Sequence, residues 1–422
     1  MSQIAEGVCN TPPPFELSEE DVAQLADELQ SYHAQFAPLL FRKEQRNWAL
    51  KYLEGLLVVD GRKSIEPLAL GLEGGSVRNL QQFIGKGAWD DEAILDKHAE
   101  LVAKSLGDSA GVLIVDGSDF PKKGMHSAGV ARQYCGATGK IDNCQAGVFL
   151  AYASARGYTL LDRRLYLPEQ WFEASARERW ESCGIPDETA FRTKPQLAWE
   201  MIEAVKASGA LAFAWVTCDE AFGNNSEFLK RLEGAQIDYL ADVPVSTLVW
   251  LERPQTEIAA PKRTGRPPSR KRLVPGTADW IRVDELARQL PGRCWRTYRV
   301  KDGEKGPIKA RFAFVRAVAV RDSLPGPDVW VVFRRALGEA GELKIFISNA
   351  SADTSRRELV RVSGIRWPIE NCFEEAKGQL GMAEYQTRSW RGWHHHMTLV
   401  ILAHHFLVRL KLRYKKGHRR LR

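Results

Sequence analysis

The stretch "GVLIVDGSDF", residues 111–120, is an unbroken run of aliphatic, mostly β-branched side chains followed by two aspartates. A run of this kind, without polar alternation, is typical of a strand that is buried on both faces of a sheet. Four later stretches have the same character: "CQAGVFLAYAS" (144–154), "YTLLDRRLYL" (158–167), "ALAFAWVTCDE" (210–220) and "IDYLADVPV" (237–245). Helical patterns at about 194–208 and 226–234 separate the later strands. This alternation predicts an α/β fold in which helices cover a sheet.

The residues before this block have helical rather than strand-like patterning. Ser18 and Asp21 have the spacing of a capping box at the start of a helix. Helical spacing of apolar residues continues through "RKEQRNWALKYLEGLL" (42–57), "SVRNLQQFIGKG" (76–87) and "DDEAILDKHAELVAKSL" (90–106). We therefore assign residues 1–107 to a helical N-terminal module. Its basic and aromatic content is compatible with DNA binding and equally with plain packing.

The α/β alternation breaks after residue 243, which predicts further domain boundaries. Residues 244–343 contain the basic stretch "PKRTGRPPSRKR", which is followed by the strand-like "RCWRTYRV", "IKARFAFVRAVAV" and "VWVVFRRA". We interpret them as a mainly β insertion between two parts of an α/β core, residues 108–243 and 344–408. Residues 409–422 form a basic tail that contains eight Lys or Arg residues and no acid. Such a tail is usually solvated, and it could equally bind phosphate.

The overall composition favours an anionic partner and excludes several protein classes. Lys and Arg number 60 against 53 Asp and Glu, giving a net charge of +7 and a pI near 9.0. The seven cysteines are scattered without a C-x-x-C pair, which indicates a reduced compartment and no zinc ribbon. We see no signal peptide and no apolar run of the roughly 20 residues that a membrane span needs. We therefore expect a cytoplasmic protein that associates with the nucleoid when it binds DNA.

Three acidic residues are placed where a metal site could form. Asp116 and Asp219 each follow an apolar strand, and the carboxyl ends of strands in an open α/β sheet are where sites occur. In "RWPIENCFEEAK" (366–377), Arg366, Glu370, Glu374 and Lys377 share one face of a helix, so this helix could bring a third carboxylate. Strand-end caps and exposed i,i+4 ion pairs would satisfy the same pattern.

The helix stretch resembles a known signature. "RWPIENCFEEAKGQLG" is similar to the R-x3-E-x6-K part of the Tyr-Arg-Glu-Lys motif of cut-and-paste insertion-sequence transposases of the DDE superfamily, with Arg366, Glu370 and Lys377 on its spacing. The blocks around Asp116 ("VDGSDFPKKGMHSAGVARQYCG"), Asp219 ("CDEAFGNNSEFLKRL") and the final helix also resemble one branch of these enzymes. One residue departs from the signature, because Ser363 stands where the family has a tyrosine that contacts substrate phosphate.

The resemblance implies a fold and a metal site. The fold is a ribonuclease H-like core with a β insertion between the second aspartate and the glutamate, flanked by a helical DNA-binding module and a helical C-terminus. Asp116, Asp219 and Glu370 would ligate two Mg²⁺ ions, for which Mn²⁺ could substitute. Asp119 and Glu374 are the nearest competitors for these roles.

The resemblance also implies the partners. Arg366 and Lys377 would hold DNA phosphates, with Lys122 and Lys123 as further candidates, although paired lysines in a loop are usually only solvated. The implied function is a DNA transposase that binds the terminal inverted repeats of its element, cleaves them and joins the 3′ ends to target DNA. A homodimer in the DNA complex is implied as well, because two element ends need two active sites. The alternatives are a host nuclease or resolvase on the same core, and a DNA-binding regulator that has lost catalysis.

Several other features carry weaker predictions. Trp280, Trp295 and Trp330 are candidates for stacking on a flipped base, with core packing as the alternative for each. Arg266, in Gly265-Arg266-Pro267, resembles a minor-groove-binding hook or a basic linker. Five histidines between positions 394 and 405 lack i,i+4 spacing, so we expect helix packing or DNA contact rather than zinc. "YCGATGK" lacks the first glycine and the final Ser/Thr of a phosphate loop, so we expect no nucleotide cofactor.

Overall fold

The structure, a computed structural model, describes residues 19–258, 269–303, 306–338 and 342–419. Ser18, half of the predicted capping box, lies outside these ranges. The helix that the box predicts begins at Glu19. None of the helices in the described ranges combines the length and the apolarity that a bilayer span requires.

The N-terminal region is helical, as predicted. Its helices are α1 (Glu19–Ala34), α2 (Lys43–Val58), α3 (Ile65–Leu70), α4 (Val77–Gly85) and α5 (Asp91–Leu106). Asp90 caps α5 by accepting a hydrogen bond from the amide of Ala93 at 3.1 Å. Buried aliphatic and aromatic side chains of these helices, among them Tyr52, Leu56 and Phe83, join one core with the C-terminal helix.

The middle of the chain forms the α/β part. Its elements in chain order are β1 (Val112–Pro121), β2 (Ala131–Cys135), β3 (Lys140–Ser154), β4 (Gly157–Tyr166), α6 (Arg177–Cys183), α7 (Lys194–Ser208), β5 (Trp215–Cys218), α8 (Glu220–Gly223), α9 (Ser226–Gly234) and β6 (Asp238–Asp242). Strands β4, β3 and β1 are antiparallel neighbours, and β1, β5 and β6 are parallel neighbours. The mixed α/β class and these five strands are confirmed.

Residues 244–343 are mainly β in their described parts. They contain β7 (Leu248–Trp250), β8 (Thr256–Ile258), β9 (Lys271–Leu273), β10 (Ile281–Arg282), α10 (Val283–Gln289), β11 (Arg296–Gly303), β12 (Gly306–Arg321) and β13 (Leu324–Ala336), and β14 (Leu343–Ser348) follows. Strand β14 pairs with β6 on one side and β13 on the other. Twelve described strands therefore form one mixed sheet, and only β8 and β9 of the described strands pair separately.

The C-terminal region is helical. It consists of α11 (Arg356–Ser363), α12 (Trp367–Gln379) and α13 (Trp390–Arg419). Helix α13 continues through the boundary that we predict at residue 408. Of the predicted basic tail, Arg409 lies over the ring of Tyr32 at 5.1 Å, and Lys411 donates to Glu375 at 2.7 Å. The first turns of this segment are thus held against α1 and α12.

Two hydrophobic cores lie on opposite faces of the sheet. Val112 and Ile114 of β1 belong to one core, while Leu113 and Val115 belong to the other. This alternation follows from the two-residue period of a strand, and it explains why β1 is apolar at consecutive positions. The first core includes α11 to α13, and the second includes α7, α9 and α10. The sheet is therefore covered by helices on both faces.

Candidate active site

Three aspartates lie in a row across adjacent parallel strands. Val115 of β1 is in register with Cys218, and Cys218 is in register with Ala241 of β6. Each of these three residues is followed by an aspartate: Asp116 within β1, Asp219 directly after β5, and Asp242 at the end of β6. Asp242 was not among the predicted site residues, although it lies near the end of the predicted strand "IDYLADVPV". Strand register is what brings these three side chains to one edge.

The prediction that a strand ends at Asp116 is wrong. Strand β1 continues to Pro121, because its antiparallel pairing with β3 continues as far as Pro121 opposite Cys144. Only the parallel pairing with β5 stops, at Val115 opposite Cys218. Asp116 therefore lies where β1 loses one of its two neighbours. Asp219 does follow the end of β5 and caps α8, accepting from the amide of Ala221 at 3.0 Å.

Helix α12 brings an arginine and a glutamate to this row. Arg366 donates from Nη1 to Oδ2 of Asp116 at 3.4 Å and from Nη2 to Oε1 of Glu370 at 2.6 Å. The helix is held on the sheet by Ile369, Cys372 and Ala376, which are buried. Asp116 on β1 and Glu370 on α12 therefore face each other across the strand–helix interface, with the guanidinium of Arg366 between their carboxylates.

The carboxylates lie close enough to disturb one another's protonation. Burial raises the pKa of Asp116 to about 7, and the neighbouring negative charge of Asp219 is the next contribution, while Arg366 lowers it. Burial also raises the pKa of Asp219, against hydrogen bonds from α8 and the charge of Arg366. The pKa of Asp242 is raised to about 6, again mainly by burial. This edge of the sheet thus accumulates negative charge that is only partly compensated.

The donor chemistry of these residues fits a hard divalent cation. Carboxylate oxygens are the ligands that Mg²⁺ prefers, and a cation would relieve the repulsion between Asp116 and Asp219. Within the described residues, however, no three acidic, histidine or cysteine side chains converge closely enough to hold a metal as they stand. The guanidinium of Arg366 occupies the space between Asp116 and Glu370, so a cation there requires this arginine to move.

The competing acids have other surroundings. Asp119 accepts a hydrogen bond from the amide of Gly136 at 2.7 Å, in the turn after β2. Glu374 is exposed on α12. Glu375 lies on the side of α12 that faces α13, where its Oε2 is 3.2 Å from Nε2 of His404. Of the three glutamates on α12, Glu370 is therefore the one that contacts Arg366, while Glu374 is exposed and Glu375 contacts His404.

The predicted phosphate-binding lysines lie in different environments. Lys377 is half-buried near the rings of Phe120 and Phe373, and burial lowers its pKa, opposed by the charges of Asp119 and Asp116. Lys122 lies over the ring of Tyr385 at 3.4 Å, and burial lowers its pKa to about 7. Lys123 is exposed. Of the three predicted lysines, Lys377 is therefore the one whose pKa is raised by the charges of both aspartates of β1, Asp116 and Asp119.

A cavity of about 220 Å³ adjoins the acidic edge. Asp242, Arg334, Lys344, Ser363, Arg366 and Glu370 are among the residues that line it. Ser363 is buried and donates from Oγ to the carbonyl oxygen of Val360 at 2.8 Å, while its own carbonyl accepts from Nη1 of Arg334 at 3.5 Å. Three cationic side chains thus border the space beside the position where the family motif has a tyrosine.

The other sequence candidates divide into packed and exposed residues. Trp330 is buried and donates to the carbonyl oxygen of Ser351 at 3.0 Å, and Trp295 is buried against Phe333. Trp280 is 41% exposed, so it is the member of this trio that is accessible to a base. Arg266 and the motif around it lie outside the described residues.

The histidines of α13 pack inside the protein. Of the two roles predicted for them, helix packing and DNA contact, the structure has the first. His396 contacts the hydroxyl of Tyr52 at 2.9 Å, and His405 contacts that of Tyr32 at 3.1 Å. The ring of His395 stacks on Trp89 with centroids 3.7 Å apart. All five histidines between positions 394 and 405 are buried. His395, His396 and His405 connect α13 to the N-terminal region, whereas His404 contacts Thr159 of β4 and Glu375 of α12.

Comparison with known proteins identifies the family of this chain. The family model described as "DDE superfamily endonuclease" matches residues 35–307, which include Asp116 and Asp219 and end before Glu370. The probable transposase for insertion sequence element IS701 of Microchaete diplosiphon is 22% identical over 359 residues, which cover 84% of this chain and 80% of that protein. The predicted resemblance to DDE-superfamily insertion-sequence transposases is confirmed. The chain belongs to the DDE superfamily of endonucleases.

Proposed function

We propose that this protein is a DNA transposase that binds the terminal inverted repeats of its own element, cleaves them, and joins the 3′ ends to target DNA. The observation that carries the proposal is the contact of Arg366 with both Asp116 on β1 and Glu370 on α12. This contact supports the assignment of Arg366 and Glu370 to the family signature and of Asp116 to its first aspartate. The curated relative, a probable transposase that shares most of its length with this chain, supports the same function.

The strand order supports a ribonuclease H-like core. Strands β4, β3, β1, β5 and β6 lie side by side, the first three antiparallel and the last two parallel to β1, which is the order of that fold. We assign residues 108–243 and 344–408 to this core and residues 244–343 to its insertion. Apart from β8 and β9, which pair with each other, the described strands of this insertion extend the core sheet through β14.

Enzymes of the DDE superfamily use divalent metal ions, and we propose Asp116, Asp219 and Glu370 as the ligands here. When bound, two Mg²⁺ ions would supply activation of the attacking oxygen and stabilisation of the leaving oxygen of a phosphodiester. Arg366 would then exchange its contacts with the two carboxylates for a DNA phosphate, which its planar guanidinium can bind in a forked geometry. Lys377 would contribute a second positive charge beside the same phosphate.

The partner that we propose is double-stranded DNA, both as element ends and as target. Two ends need two active sites, so we expect a homodimer in the DNA complex. The net charge of +7 is compatible with such a partner. A host nuclease on the same core is the second candidate, and it would cleave without joining. A regulator without catalysis is the third, and the presence of all three acids weighs against it.

The test is a cleavage and joining assay with Mg²⁺ on DNA that carries the inverted repeats flanking the gene. We expect the wild-type chain to cleave these ends and to form joined products. We expect Asp116→Asn, Asp219→Asn and Glu370→Gln each to lower cleavage by at least about a thousandfold, since each removes a charged ligand. Cleavage without any joined product would support the nuclease, and unchanged cleavage by all three variants would contradict the proposed site.

A further inference from the structure

Helix α4 has one buried face and one polar face with no protein partner. Leu80, Phe83 and Ile84 are buried against α2 and α3, whereas the opposite side carries four exposed polar side chains: Arg78, Asn79, Gln81 and Gln82. At 3.6 residues per turn, Arg78 and Gln82 lie one turn apart, and Asn79 and Gln81 flank them. Among the described residues, the side chains of these four have neither a hydrogen bond nor an ion pair.

The chemistry of this face is that of base recognition. Arginine binds guanine through two hydrogen bonds in the major groove, and asparagine and glutamine bind adenine in the same way. The polar face of α4 consists of these residue types and contains no acid. A solvated helix face usually contains charges of both signs, so four unpaired donors and acceptors without a carboxylate are distinctive.

The surroundings of α4 are suited to a nucleic acid. A cleft of about 730 Å³ separates α4 from α2, and its lining includes Arg42, Trp48, Gln82 and Lys86, with Glu44 as the acid among them. Arg42 and Lys86 are exposed on either side of the cleft. Cationic side chains that border the same cleft as a polar helix face can contact phosphates while the helix contacts bases.

The connection into α4 also fits this role. Helix α3 ends at Leu70, and a glycine-containing turn leads to Ser76, which caps α4 by accepting from the amide of Asn79 at 3.4 Å. The polar residues therefore begin in the first turn of α4, which follows the shorter helix α3 after a six-residue connection. In DNA-binding proteins that place the second of two successive helices in the major groove, the N-terminal residues of that helix contact base edges.

We propose that α4 enters the major groove of the element's terminal inverted repeat, where Arg78, Asn79 and Gln82 contact bases and Lys86 contacts a phosphate. This inference rests on the proposed function for the identity of the DNA, and it adds which helix reads that DNA.

The experiment measures equilibrium binding of the full chain to two duplexes of equal length, one with the inverted repeat found beside the gene and one with its sequence scrambled. We expect Arg78→Ala and Gln82→Ala each to weaken binding to the repeat by about tenfold and to leave binding to the scrambled duplex unchanged. Gln30→Ala, an exposed amide on α1, is the matched control and should change neither affinity.

Lys86→Ala separates phosphate contacts from base contacts. It should weaken binding to both duplexes equally and reduce the slope of log affinity against log salt by about one. If the α4 variants retain the wild-type ratio of the two affinities, or if the wild-type chain does not distinguish the duplexes, the inference is wrong. The binding experiment does not depend on cleavage, so the two proposals can fail separately. If the wild-type chain binds the repeat more tightly than the scrambled duplex, the α4 variants lose this preference, and no cleavage of the ends is found, the proposed catalysis is contradicted and the inference about α4 is supported.

Discussion

Arg366, the N-cap of α12, lies one turn before Glu370, with Nη2 of the arginine 2.6 Å from Oε1 of the glutamate. The same guanidinium reaches Asp116 at 3.4 Å, so one cation neutralises two carboxylates that we propose as metal ligands. A divalent cation and this guanidinium compete for the same negative charge.

Arg366→Met should change how the protein responds to Mg²⁺. Without the cation, the variant leaves Asp116 uncompensated, and we expect its free energy of unfolding to fall by about 1–2 kcal/mol. With Mg²⁺ present, the ion no longer displaces an arginine, so the rise in Tm on adding Mg²⁺ should be larger than for the wild-type chain. Calorimetry with and without Mg²⁺ measures both effects.

The matched control for this variant is Arg361→Met. Arg361 pairs with Glu358 on α11, where the two side chains have exposures of 34% and 32%. This variant should respond to Mg²⁺ like the wild-type chain. An equal Mg²⁺-induced rise in Tm for Arg366→Met and the wild-type chain would show that the arginine and the ion do not compete.

Arg334→Ala should impair cleavage more than end binding. Arg334 lines the cavity beside Arg366 and Ser363, and it is half-buried, so its charge acts at short range on a phosphate in that space. We expect cleavage of end-containing DNA to fall about tenfold while the Kd for the ends stays within about twofold. Single-turnover cleavage and equilibrium binding measure the two quantities.

Arg335→Ala is the matched control, because consecutive residues of β13 point to opposite faces of the sheet. Its guanidinium lies over the ring of Trp295 at 4.6 Å, away from the cavity. Its loss should leave cleavage per folded molecule unchanged. Equal cleavage defects in the two variants would assign the effect to general loss of positive charge on β13.

Glu375→Gln should destabilise the protein in a pH-dependent manner. The contact with His404 and the ion pair with Lys411 lower the pKa of Glu375 from 4.5 to about 2. Because the folded-state pKa is depressed, this stabilisation is fully present above about pH 4.5 and is lost as the pH falls toward 2. At pH 7 we expect the variant to lose about 1–2 kcal/mol of unfolding free energy.

Urea denaturation at several pH values measures this difference. It should be constant from pH 7 to about pH 5 and then shrink at lower pH. Glu374→Gln, one residue away and exposed, should have no measurable effect at any of these pH values. A destabilisation of Glu375→Gln that does not depend on pH would mean that lost packing, not charge, is responsible.

The sequence predicted the elements of this fold better than their mutual placement. Continuous apolar runs such as Val112–Val115 mark strands because both faces of the sheet are covered, and this information is local. The end of β1 could not be predicted in this way, because Asp116 is followed by residues that stay paired with β3 after the pairing with β5 stops. Which neighbour a strand keeps is a property of the whole sheet.

Only part of the candidate site could be predicted, again because local patterns do not specify which strands and helices become neighbours. The helical period placed Arg366 and Glu370 on one face, but it could not choose between Glu370 and Glu374 without the family spacing. Asp242 joins the acidic row only through the register of β5 and β6, which no local pattern specifies. The role of the α13 histidines likewise depends on the N-terminal helices that pack against them.

The most direct test of the proposed active site compares Glu370→Gln with Glu374→Gln in Mg²⁺-dependent cleavage of end-containing DNA. Both variants remove one negative charge from the same helix, and the two carboxylates differ in that Glu370 contacts Arg366 whereas Glu374 is exposed without this contact. We predict a loss of at least about a thousandfold for Glu370→Gln and less than about threefold for Glu374→Gln. Cleavage that survives in Glu370→Gln and is lost in Glu374→Gln would contradict the account.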